Sequence, residues 1–492
     1  MLVEHFHARY SRLPRPVAGL HLLLAIATLT LSSALLISAA KAVTQGAGTV
    51  ARIPLQPLID ATNEGETLSP AAGVYAGPVV IKRPIVLDGA NGVTIDGGGK
   101  GTVVHVHTDG ATVRNLKVVN SGDQHNDIDA GIRIEGNFNV VKDNAISETL
   151  FGIDLQEAHN NLVRRNTIVS KSDVELGVKG DAVRLWYSRD NKLEENKVSG
   201  SRDFVVWYSS GNSISRNTIT EGRYGLHCMY ANHNVIEDNH LERNSVGIYL
   251  MYDEGDIIRR NRIVQALGAA GVGIGLKEAS NVVIEGNEVL YNAVGMAFDI
   301  TPFQPDSSVL IADNTIAFND IGVSFLSDRI GNIFEDNRFL SNTQHVAMRL
   351  FEAAIRATWK GNHWDDYEGF DRNHDGIGDK PYVMRSFADR LWMDVPNAAF
   401  FKGSPALTTL DFIERLAPFT EPLLLLQDTE PRMSRTFVAR KNRKLPSKQG
   451  PSDNDDEQDG SLARPASIAP PQQGAQTTTP EGRIDPFGLY KN

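Results

Sequence analysis

The chain has 492 residues, 41% hydrophobic and 22% charged, with 43 Gly and one Cys. That apolar content provides a core, and a single thiol excludes both a disulfide framework and the Cys-rich zinc and iron–sulfur arrays. A formal net charge of −11 argues against nucleic acid as a partner, because affinity for a phosphate backbone comes from clustered Lys and Arg.

The first element is a leader. Arg9, Arg12 and Arg15 precede an apolar run from Leu20 to Ile37 that ends in Ser38-Ala-Ala-Lys-Ala42. A positive flank, an apolar run and small residues at its end are the pattern of a secretory signal over residues 1–42. An uncleaved anchor is the alternative, since about 18 apolar residues can just span a bilayer. Either way the rest of the chain is expected outside the cytoplasm. Residues 43–64 form a lead-in.

Over residues 65–365 a short unit recurs: Asn, two or three β-formers, a charged pair, Asn, then Ile or Val one or two places on. Examples are Asn161-Leu-Val-Arg-Arg-Asn166, Asn191-Lys-Leu-Glu-Glu-Asn196 and Asn234-Val-Ile-Glu-Asp-Asn239. The second Asn falls at 115, 144, 166, 196, 217, 239, 261, 287, 314 and 337, a period of about 22 residues. Short strands separated by Asn/Gly corners at that period predict an all-β, right-handed parallel β-helix of about 11 coils rather than several globules. Asn suits the corner because it tolerates left-handed backbone angles and its amide can stack in a hydrogen-bonded ladder.

Stacking supplies an alignment. Val183, Phe204, Leu226 and Ile248 form one interior column, and Leu185, Val206, Cys228 and Leu250 another, which makes Cys228 a buried small hydrophobe. The intervening residues face outward: Arg184, Val205, His227 and Tyr249 in one column, and Trp186, Trp207, Met229, Met251, Lys277 and Asp299 in the next. Tyr187, Tyr208, Tyr230 and Tyr252 line the adjoining corner. An outward stripe of Trp, Met, His and Tyr marks either a binding surface or a patch covered by a loop. His227, Met229 and Met251 are candidate ligands for Cu(I), a soft ion suited to thioether and imidazole donors. Trp186, Trp207 and Tyr249 are a candidate partner surface, and the two Trp could equally platform a sugar ring. The insertion His125-Asn-Asp127-Ile-Asp129 is either a mixed N/O metal cluster or a solvated loop.

Residues 366–433 close the fold. Asp371, Asn373, Asp375, Gly376 and Asp379 match a calcium loop except that Tyr382 stands where a bidentate Glu belongs; an ion-free turn is the alternative. Trp364 and Tyr367 are expected to plug the last coil. Pro405–Ala417 and the run Leu423–Leu426 have the spacing of two short amphipathic helices, with Phe412 and Leu416 as a docking face for a membrane partner or a surface folded back on the solenoid. The stretch 434–492, basic, then acidic, then Pro/Gln/Thr-rich, reads as a disordered tail.

Several of these motifs occur together in a known family. Arg223-Tyr-Gly-Leu-His-Cys-Met-Tyr230, Gly247-Ile-Tyr-Leu-Met-Tyr252, Gly361-Asn-His-Trp364, Asp375-Gly-Ile-Gly-Asp-Lys-Pro-Tyr382 and Leu410-Asp-Phe-Ile-Glu-Arg-Leu-Ala-Pro-Phe419 resemble NosD proteins, over about residues 50–433. The resemblance implies a periplasmic, non-enzymatic copper-handling β-helix that works with an ABC permease and ATPase. It further implies receipt of copper from a lipoprotein chaperone, delivery to nitrous oxide reductase, and membrane contact through the permease by way of the C-terminal helical segment. The runner-up is a polysaccharide lyase or epimerase, for which Asp154, Arg184 and Lys277 are the acid–base candidates. A passive adhesin-like solenoid is the third.

Overall fold

In the computed structural model, residues 52–348, 353–385, 404–416 and 424–434 are described. The leader and the tail beyond residue 434 lie outside them. The chain winds as a parallel β-helix with three rows of strands. One row runs from Val140–Lys142 through Leu162–Arg164 and Lys192–Glu194 to Thr358–Lys360, and a second from Ala145–Thr149 through Thr167–Ser170 to His363–Trp364. Two long strands, Val86–Asp96 and Thr112–Val119, pass through both rows and join them. The third row, from Val79–Ile81 to Gln344–Met348, holds twelve strands, so the coil number exceeds the eleven expected; the first coils lack the Asn pair used for counting. Coil length varies, but the inward residues of all three rows, mostly Ile, Val, Leu and Phe with two per strand in the third row, pack into one continuous core.

Two devices keep the coils in register. The first is an amide ladder: Asn144, Asn166, Asn196, Asn217, Asn239, Asn261, Asn287, Asn314, Asn337 and Asn362 are buried, and each donates its backbone N–H to the side-chain oxygen of the next. The left-handed residue is not the ladder Asn, as its tolerance of such angles suggested, but the residue before it. Asp143, Arg165, Glu195, Arg216, Asp238, Arg260, Gly286, Asp313, Asp336 and Gly361 carry φ of +51° to +72°. A side chain turned inward to bond its neighbour keeps ordinary angles, and the solvent-facing residue beside it takes the bend. Asn115, at φ +58°, is the exception, and it lies before the ladder begins. The second device is charge. From Asp143 to Arg260 these bend residues alternate in sign, and Arg165 pairs with Asp143 at 2.7 Å, Arg216 with Glu195 at 3.6 Å and Arg260 with Asp238 at 2.8 Å.

Both ends are closed. At the start, the short helix Gln56–Ala61 buries Ile59, and Gln56 exchanges hydrogen bonds with the N–H and C=O of Val80 on the first strand of the third row. At the far end, Trp364 stacks between Phe339 and Tyr382 at 4.2 and 4.4 Å. Of the leucine run, Leu423 lies outside the described residues, and Leu424–Leu426 is not helical. Leu424–Asp428 is a strand antiparallel to Tyr382–Arg385, with Leu425 and Leu426 fully buried. An uninterrupted leucine run fits either state, and a waiting edge strand plus an open coil decides it. Asp428, also buried, ends the ladder by accepting from Gly361 N–H, Asn362 N–H, the Asn362 amide and the Trp364 indole. The helix Pro405–Leu416 forms as its spacing predicts and leaves Phe412 60% and Leu416 69% exposed.

Candidate functional site

The third row carries the aromatic stripe. Its strands Val183–Trp186 (β1), Asp203–Trp207 (β2), Tyr224–Met229 (β3), Val246–Met251 (β4), Val272–Lys277 (β5) and Val294–Asp299 (β6) stack in parallel. Their register aligns Trp186, Trp207, Met229, Met251, Lys277 and Asp299. In the neighbouring column Arg184, Val205, His227, Tyr249 and Gly275 follow one another. Alternation therefore delivers imidazole and thioether to one side of the sheet, and Cys228 to the other, where burial pushes its thiol well above the usual range.

The stripe is less open than its outward direction suggests. His227 is 2% exposed and Met251 9%, while Trp186, Trp207, Met229 and Tyr249 are half-buried. What covers His227 is its own neighbours: Tyr224 stacks on the imidazole at 4.6 Å, and Trp207 meets it edge-on at 5.4 Å. The Tyr249 ring lies across Gly275, where an added Cβ would stand 2.3 Å from it. Beside this cage Tyr187, Tyr208, Tyr230 and Tyr252 form a continuous stack at 4.8–5.2 Å spacing.

His227 Nε2 stands 3.3 Å from Met251 Sδ. Neither His227 Nδ1 nor Trp207 Nε1 has a hydrogen-bond partner among the described residues. Burial, only partly opposed by the Asp203 charge, brings the His227 pKa down to about 4. The imidazole is therefore neutral at pH 7; in the tautomer protonated on Nε2 that N–H donates to the Met251 thioether, and in the other tautomer the Nε2 lone pair is free for a cation shared with the sulfur. A neutral nitrogen and a sulfur with an apolar wall around them are a donor set for a soft cation. Met229, cross-strand from Met251, supplies a second thioether at the rim.

The other candidates are distributed differently. Asp154 is fully buried, and its two oxygens are taken by Arg184 at 2.8 Å and Arg133 at 3.1 Å. Lys277 lies over the Tyr252 ring, and Arg184 over Trp186. The acid–base candidates Asp154, Arg184 and Lys277 thus do not share one groove. In the insertion, Asp129 accepts from Gln124 N–H and folds the loop on itself, while His125 Nε2 reaches the Val178 carbonyl and ties it to a second loop. In the calcium-like loop Asp371 accepts from the Asp375 and Gly376 N–H groups, Asp379 from Arg372 N–H, and Asn373 donates to Asp375.

Two clusters escaped the sequence reading. His345 Nε2 stands 3.0 Å from Asp365 and 3.4 Å from Asp366. Burial alone would lower the His345 pKa, but the two carboxylates outweigh it and raise it to about 9. His105 and His107 meet Glu135 at 3.0 and 2.9 Å. The available signal was His105-Val-His107, two imidazoles on one face of a strand; the carboxylate comes from the next coil, 28 residues on.

The fold and stripe define a parallel β-helix with a buried His–Met corner inside an aromatic face. A family model described as "Periplasmic copper-binding protein (NosD)" matches residues 169–369. A "Probable ABC transporter binding protein NosD" of Pseudomonas aeruginosa is 32% identical over 390 residues, covering 74% of this chain and 89% of that protein. A protein of the same name from Stutzerimonas stutzeri is 32% identical over 111 residues, 22% of this chain and 25% of that one. The chain belongs to the NosD family. Among solved structures, the A-module of mannuronan C-5 epimerase AlgE6 from Azotobacter vinelandii is similar at 15% identity and a TM-score of 0.42, over 63% of this chain and 93% of that one. A GH87 α-1,3-glucanase catalytic domain gives 14% and 0.45, over 64% and 68%. Likeness at this level carries no argument about activity. No helix among the described residues is long and apolar enough to cross a membrane.

Proposed function

We propose that this chain is a periplasmic Cu(I) carrier that holds its ion at His227 and Met251, with Met229 completing the set, and passes it on. The observation that carries this reading is the 3.3 Å approach of a neutral, buried imidazole to a thioether inside an aromatic cage. Thioethers and an imidazole without thiolate bind Cu(I) weakly enough to release it, which suits transfer rather than storage. Membership of the NosD family supports the setting: an ABC permease and ATPase as partners, a lipoprotein chaperone as copper donor, and nitrous oxide reductase as the protein whose copper centres are assembled. Phe412 and Leu416 on the helix Pro405–Leu416 would dock on the permease, and Trp186, Trp207 and Tyr249 would meet the donor or acceptor of copper. The Asp371–Asp379 loop remains a candidate calcium site in this reading, its side-chain oxygens exchanging loop amides for the ion.

The test is anaerobic competition between the purified exported chain and a chromogenic Cu(I) chelator. The variant His227→Ala/Met251→Ala is expected to lose at least about tenfold in affinity, a second deficit following from Met229→Ala. Equal affinity in wild type and the double variant would sink the assignment.

A further inference from the structure

At the other end of the same outward column the structure holds a second donor set of different character. His105 pairs across the coil with Arg133, which leads through Asp154, Arg184 and Val205 to His227. That is five coils, or about 24 Å at the usual strand spacing. His105 and His107 lie on one face of the strand around Val104–Val106, and the register that sets Val106 opposite Ile134 carries His107 opposite Glu135.

His105 Nε2, His107 Nδ1 and a Glu135 oxygen all lie within 4.8 Å of one another. Each imidazole nitrogen stands about 3 Å from Glu135 Oε2, the spacing two donors have when each is roughly 2.0–2.2 Å from a common ion. His105 Nε2 is buried, and despite its 3.0 Å approach it is not aligned to hydrogen-bond with Glu135. Glu135 Oε2 is hydrogen-bonded with His107 Nδ1, which leaves the His105 Nε2 beside it as a buried nitrogen without a hydrogen-bond partner of its own among the described residues. The remaining charge beside them, Arg133, is turned away and paired with Asp154 at 3.1 Å. His107, 60% exposed in its side chain, leaves the site open to solvent. The contrasting His345 cluster lacks this character, since Ser341 and Tyr382 already hold its carboxylates.

We propose that His105, His107 and Glu135 form a site for a borderline divalent transition-metal ion such as Zn(II) or Cu(II), with an open coordination position. Two imidazoles and a carboxylate favour such an ion over Cu(I), which the thioether corner suits. The site is independent of the reading given for His227 and Met251.

Calorimetric titration of the untagged exported chain with Zn²⁺ tests it, and Cu²⁺ with electron paramagnetic resonance reads the nitrogen ligands directly. Wild type and His227→Ala/Met251→Ala are expected to bind one Zn²⁺ alike. Glu135→Gln, which keeps the fold and both imidazoles, is expected to bind at least about tenfold more weakly, and His105→Ala/His107→Ala to lose both the zinc isotherm and the nitrogen couplings. Absence of zinc binding in wild type, equal binding in the His105/His107 variant, or binding that disappears with His227 and Met251 instead would each overturn the proposal. A failure here leaves the Cu(I) competition result untouched, so the two sites are judged separately.

Discussion

Gly275 shows how one residue shapes the candidate copper corner without touching it. Its missing Cβ lets the Tyr249 ring lie across β5, and Tyr249 meets Tyr224, which stacks on His227. Gly275→Ala is expected to push the ring off its seat at a cost of about 1–3 kcal/mol by denaturant unfolding. Cu(I) affinity should fall with it, although no ligand has changed; unaltered stability and affinity together would show that Tyr249 has room to move. The columns that bring these residues together could be read directly from the sequence, because successive coils repeat Val183/Phe204/Leu226/Ile248 in fixed order and strand alternation does the rest. Their burial could not. Whether His227 faces solvent depends on where Tyr224 and Trp207 rotate, and strand periodicity holds no information on that.

At the scale of elements, the two longest amide ladders end on acids. A second amide ladder, Asn139, Asn161, Asn191, Asn212 and Asn234, stops at Asp256, which accepts the Asn234 N–H at 2.7 Å but leaves Oδ2 without a partner among the described residues. Burial holds the Asp256 carboxyl well above the usual range, so folding favours its protonated form. Its stabilising contribution is present below the ordinary carboxylate pKa and is lost as pH rises towards the folded-state value. Asp256→Asn restores the amide found at every earlier rung and is expected to stabilise the protein by about 1–2 kcal/mol at pH 7, with a smaller gain below pH 4. A pH series of denaturant midpoints checks this; a gain independent of pH would contradict the protonation account. Asp428 predicts the opposite sign, since Asp428→Ala leaves four buried donors without their acceptor and should cost about 3 kcal/mol or more. The cap itself was only half legible. Trp364 announced a plug, whereas Leu424–Asp428 carried a pattern that fits a helix as well as a strand, and its partner Tyr382–Arg385 lies about forty residues earlier.

For the whole molecule, the solenoid separates support from recognition. Two rows of strands carry the amide ladders, and the third carries the aromatic face with the His–Met corner. The exposed side of the helix Pro405–Leu416 belongs to neither. Replacing Phe412 and Leu416 by Ser is expected to leave thermal unfolding within about 0.5 kcal/mol of wild type while abolishing co-purification with the permease. A large loss of stability would show instead that the helix folds back on the solenoid. Period and register made the architecture readable over hundreds of residues. The His105–His107–Glu135 cluster was not readable, because it sits where coil lengths are irregular and no repeated Asn marks which residues will meet.

The amide ladders also have a direction. Each rung gives its N–H forward, to an oxygen about one coil later in the chain, and Asp428 receives the last. The polypeptide therefore always has one unanswered donor at its growing edge, whichever coil is outermost. Along the ladder that ends at Asp428, every shorter stack of coils leaves its outermost Asn N–H without the side-chain oxygen that the next coil supplies. The rung at Asn362 is answered by a carboxylate 66 residues further along, so this ladder closes only once the segment beyond the solenoid has folded back onto its last coil.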